Sequence, residues 1–108
     1  MTKPYRPGAE IQLDVPMSSM KFFAKAMSID EQLTHEEREK EAEREDENGN
    51  KNKIETDELI QIVLGRLTRT EPPIEMTSKG LRGAIDLTVL WRLNAAMRFN
   101  LSYEEKKS

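Results

Sequence analysis

Cysteine is missing from all 108 residues, and with it go disulfides, thiolate metal sites and thiol catalysis. Histidine and tryptophan occur once each, and nowhere is there an uncharged run of about 18 apolar residues that could span a bilayer. The opening MTKPYRPGAE has no apolar core of the kind a secretory signal requires, so a cytoplasmic location is expected. Also lacking are a glycine-rich phosphate loop and a serine in a nucleophile-elbow context. Only carboxylates are left for acid–base chemistry, and they crowd into a stretch where no pocket is expected. The chain is therefore expected to be no enzyme and to need no cofactor or small-molecule substrate.

What is present is charge, unevenly spread. Hydrophobic residues make up 36% and charged residues 34%, for a net charge of -3. Between Glu31 and Asn50 the acids outnumber Arg38, Lys40 and Arg44 by three to one. From His35 to Lys53 the single apolar side chain is Ala42, so this stretch cannot build a core, whereas Ala84 to Phe99 is apolar in every direction around a helix. Length favours one domain over 1–108, with an acidic, partly flexible segment at 35–53 and a disordered tail at 102–108.

The periodicities point to helices. Ile11, Leu13 and Val15 alternate with Gln12 and Asp14 and read as a short extended strip laid on the helices. Pro16 can open a helix, and Met17, Met20, Phe23, Ala24 and Met27 follow at steps of three and four, predicting a helix over 16–27. Ser28 with Glu31 forms a capping box for a helix over 29–45, whose later part has strong helix formers but no apolar stripe. Thr56, Asp57 and Glu58 suit a helix start, and Leu59 to Leu67 supply a wide apolar face, predicting a helix over 57–69 that Pro72 and Pro73 end. Thr77 or Ser78 caps a last helix over 79–99, in which Gly80, Gly83 and Ala84 would admit close approach of another backbone. The expected fold is all-α, a small bundle of three to four helices with an extended N-terminal strip.

Three constellations invite a functional reading. Glu31, His35 and Glu39 share one helical face at spacing four, which could loosely hold a divalent ion, but the ligands would be exposed without supporting partners, the Glu-x-x-His spacing of di-iron bundles is absent, and a solvated histidine in an acidic run is the expectation. Asp46, Asn48 and Asn50 alternate like the first ligands of a calcium loop; Lys51 stands where the glycine should be, and Glu58 comes one residue late, so an asparagine-rich turn is expected and no metal. Arg82, Arg92 and Arg98 on the last helix could contact nucleic acid, yet their angles form no tight stripe.

A nearly circumferential apolar helix is more than one small domain can cover. The chain is thus expected to be a non-catalytic protein-binding module, most simply a homodimer, with Leu87, Leu90, Trp91 and Met97 facing the partner and Trp91 as the anchor. A small accessory, inhibitor or assembly factor, for example from a phage or mobile element, fits such a module. The alternative is a small nucleic-acid-binding regulator using Arg82, Arg92 and Arg98.

Overall fold

The computed structural model describes residues 6–45 and 51–103. Among them are β1 (Glu10–Gln12), β2 (Lys21–Lys25), α1 (Ile29–Ala42), β3 (Glu43–Glu45), β4 (Lys51–Ile54), α2 (Thr56–Leu64), β5 (Leu67–Glu71), α3 (Ser78–Ala84) and α4 (Leu87–Arg98). The fold is mixed rather than all-α: β1, β2 and β5 form an antiparallel sheet in that order, backed by helices, and β3 pairs with β4 in a separate hairpin. Residues 46–50, on which the calcium-loop pattern rests, and residues 104–108 of the tail lie outside the described residues.

The segment 16–27 is the largest departure from expectation. Its methionine spacing fits a helix, but Lys21, Phe22, Ala24 and Lys25 also fit a strand, with Phe22 and Ala24 turned inward and both lysines outward. The strand wins because β2 is the central member of the sheet. It pairs Ile11 with Ala24 on one side and Phe22 with Thr70 on the other, which satisfies its backbone along both edges. Met17 instead sits in the preceding turn with φ 66°, exposed to water. The N-terminal strip is accordingly a paired strand. Its inward Ile11 and Leu13 do follow the expected alternation.

The other helices are shorter than expected, each for a local reason. α2 begins at Thr56, with Glu55 rather than a hydroxyl residue at the cap position, and stops at Gly65. Leu67–Glu71 then continues as β5 instead of a last helical turn, with β-branched Thr68 and Thr70 suited to a pleated edge. The predicted 79–99 helix is two. Ile85 is extended, and the Asp86 carboxylate accepts a hydrogen bond from the Val89 N–H at 2.8 Å, so Asp86 starts α4 rather than lying inside a helix. Gly80 does meet another backbone, because a methyl group there would collide with the Glu75 carbonyl, whereas Gly83 faces open space.

The core lies between the inner face of the sheet and α2, α3 and α4. Phe22, Leu59, Val63, Leu81, Leu93 and Ala96 form its centre. The chain end closes one sheet edge: the Asp14 N–H donates to the Leu101 carbonyl and the Tyr103 N–H to the Gln12 carbonyl, both at 2.8 Å. Ser102 and Tyr103, the described part of the predicted tail, are thereby tied to β1. On the outer face the Arg69 guanidinium lies 3.7 Å from the centre of the Phe23 ring and bonds Glu10 and Glu71. Among the described residues no helix is long and apolar enough to cross a membrane.

Candidate interaction surface

α4 organises the surface as well as the core. Its capping aspartate fixes where the helix begins, and at about 100° per residue this sets which side chains face inward. Val89, Leu90, Leu93, Ala96 and Met97 point into the core, and Asn94 points toward α1. Of the four residues assigned to a partner from sequence, Leu90 and Met97 are thus enclosed by their own chain. Leu87 remains 55% exposed and Trp91 41%. These two stand one turn apart, neighbours on the open side of the helix.

Beside them is a cleft of about 300 Å³ between the start of α2, α3 and the start of α4. Its apolar walls come from Ile60, Leu81, Ile85 and Leu90, with Leu87 at the margin and Thr56, Arg82 and Asp86 adding polarity. The Arg82 guanidinium pairs with Asp57 across this region. The arrangement offers a greasy depression next to a protruding leucine and tryptophan, which is the geometry of a contact surface.

The three arginines of the nucleic-acid alternative are each engaged by a different part of the fold. Arg82 is held by Asp57 on α2, and Arg92 donates to the Pro16 carbonyl at 3.1 Å. Arg98 lies 3.7 Å from both Glu36 and Glu39 on α1 and also stacks against Phe99. Arg82 and Arg98 are thereby offset by carboxylates, whereas Arg92, bonded to a neutral carbonyl, keeps its full charge.

The Glu31, His35, Glu39 face is likewise occupied, with His35 and Glu39 buried rather than solvated. Glu31 completes the capping box with Ser28 and bonds Arg66 at 2.8 Å. The Ser28 backbone N–H, followed by Arg66, holds the Glu31 carboxyl below its ordinary range. His35 is completely buried, and its Nε2 lies 2.9 Å from Asn94 Oδ1. Since Asn94 Nδ2 donates to Glu39 at 3.3 Å, Oδ1 is the acceptor in the contact with His35 Nε2. His35 Nδ1 and Glu39 Oε1 have no hydrogen-bond partner. Among the described residues no group of three His, Cys, Asp or Glu side chains is placed to hold a metal ion.

Sequence reasoning missed this His35–Asn94–Glu39 cluster and a second apolar groove. The groove lies between the first half of α1 and the end of α4 and is lined by Ile29, Leu33 and Phe99. The capping box at Ser28, which fixes the helix start, was the available signal for it: with that start, Ile29 and Leu33 fall on one side and His35 and Ala42 on the other. No protein family, curated protein or solved structure matches this chain.

Proposed function

We propose that this protein is a non-catalytic protein-binding module that associates with a second copy of itself through the exposed side of α4. One observation carries the reading: Leu87 and Trp91, both large and apolar, stand in water beside a cleft with apolar walls that their own chain leaves empty. In a two-fold pairing the same patch serves both copies, so a protruding side chain and a depression on one surface are complementary to themselves. Arg82 and Asp57 at the rim can pair within or between copies, and this suits a self-complementary contact. A cytoplasmic accessory or assembly role agrees with a chain that has no cysteine.

Light scattering coupled to size exclusion, at two protein concentrations, tests the proposal. The wild type should show twice the monomer mass at the higher concentration, and Leu87→Glu or Trp91→Ser should return it to the monomer. Both residues are exposed, so the variants should keep the wild-type circular dichroism. A wild type that stays monomeric at both concentrations overturns the reading.

A further inference from the structure

The groove between α1 and the end of α4 is a second apolar surface, independent of the one at the start of α4. It has a volume of about 250 Å³ and is lined by Ile29, Gln32, Leu33, Glu36, Arg98 and Phe99. Ile29 is 75% exposed, Leu33 55% and Phe99 58%, although α1 buries His35, Glu39 and Ala42. Three large apolar side chains are thus left in water.

The charge around them distinguishes the possible occupants. Glu36 is shared between Lys40 and Arg98, and Arg98 is further offset by Glu39. Asp30, beside Ile29, and Glu37, one turn beyond Leu33, have no ion-pair partner among the described residues. A second copy docked here would bring its own acidic α1 against this one. A nucleic acid or an anionic lipid surface would add still more negative charge.

We propose that this groove is the docking site for a basic, amphipathic helix of another protein. Its apolar residues would cover Ile29, Leu33 and Phe99, and its lysines or arginines would face Asp30 and Glu37. On α1 the lining runs from Ile29 to Glu36, which at 1.5 Å per residue gives a track of about 12 Å, matched by about two turns of a partner helix.

The test uses a fluorescein-labelled Leu/Lys peptide of about 18 residues, with leucines at helical spacing, titrated with the full chain and read by anisotropy. The wild type should bind it more weakly as salt is added, and should not bind a Leu/Glu peptide of the same pattern. Ile29→Ser/Leu33→Ser and, separately, Phe99→Ser should each weaken binding about tenfold, because they remove apolar contact while keeping every acid. Glu37→Lys should weaken it without touching the apolar wall. Leu87→Ser, at the other end of α4, should leave it unchanged.

Failure to bind the Leu/Lys peptide overturns the proposal, as does equal binding of the Leu/Glu peptide or of anionic vesicles. So does unchanged affinity in both serine variants. Light scattering on Ile29→Ser/Leu33→Ser separates this site from self-association: an altered oligomeric state would assign the groove to the contact between copies and reject the separate partner.

Discussion

The side-chain amide of Asn100 grips the backbone of Met27 at both of its polar groups: Oδ1 accepts from the Met27 N–H and Nδ2 donates to the Met27 carbonyl, each at 2.8 Å. The two residues are 73 positions apart. Asn100 follows α4 in the left-handed region, with φ 51°, and Met27 lies in the link from β2 to α1, so the amide stands in for a missing backbone partner where sheet and helices meet. Replacing Asn100 by Gly keeps the backbone conformation and loses both bonds; replacing it by Ala loses the bonds and adds strain. Urea denaturation should show Asn100→Gly destabilised by about 1–3 kcal/mol and Asn100→Ala by more, with little change in slope.

The buried His35–Asn94–Glu39 cluster predicts a non-additive pair. Asn94→Ala leaves His35 Nε2 and the Glu39 carboxylate without the partner they share, and should cost about 1–3 kcal/mol. Adding His35→Leu to Asn94→Leu removes a donor and an acceptor together. The double variant should therefore be less destabilised than the two single changes combined, by about 0.5–3 kcal/mol in a double-mutant cycle read by urea denaturation. A strictly additive cycle would mean that the two side chains do not share an interaction.

Some of this fold was readable in the sequence because the signals were local. Ser28 and Glu31 do form the capping box that starts α1, and the apolar face of α2 is the one its spacing indicates. The sheet was not readable. β1 and β2 are close in sequence, but β5 joins them from Leu67–Glu71, beyond α1 and α2, and Met17, Met20, Phe23 and Met27 imitate helical spacing so well that only pairing with β1 and β5 reveals the strand. Asp86 looked like a polar residue within one long helix; it is a cap, and the extended Ile85 before it divides that helix in two. His35 looked solvated because its neighbours in sequence are acidic, whereas its partner Asn94 is 59 residues away. Of the partner-facing residues chosen by periodicity, Leu90 and Met97 are buried in the core of their own chain, where α4 packs against α1 and α2.

Acid should weaken the fold at two identified carboxylates. Glu10 is held below its ordinary range first by the Thr68 hydroxyl and then by Arg69, and Glu31 first by the Ser28 N–H and then by Arg66. A carboxyl that ionises more readily when folded makes the unfolded chain the better proton binder. Its contribution is therefore complete above the ordinary carboxylate range and disappears as the pH falls through the lowered value. Both groups are largely solvated, so each contributes only about 0.2–1 kcal/mol, less at high salt. Urea midpoints should fall from neutral pH toward pH ~3, and Glu31→Gln should differ from wild type most at neutral pH, with the gap closing in acid. A gap that widens in acid would contradict the assigned partners.

Two glycines of one short helix should respond to the same substitution in opposite ways. Both lie in α3, where alanine is favoured over glycine by about 1 kcal/mol on propensity alone. At Gly83 nothing lies within reach of an added methyl group, so Gly83→Ala should be neutral or stabilising by up to that amount. At Gly80 the methyl group would press into the carbonyl and Cβ of Glu75, on the segment that leads from Pro73 into the helix. That segment would have to shift, and since Leu81 beside it is completely buried, the shift would disturb the wall of the cleft next to Leu87. Gly80→Ala should cost about 1–3 kcal/mol by thermal or urea denaturation. If the surface at the start of α4 joins two copies, it should also raise the concentration at which the dimer forms, while Gly83→Ala leaves that concentration unchanged.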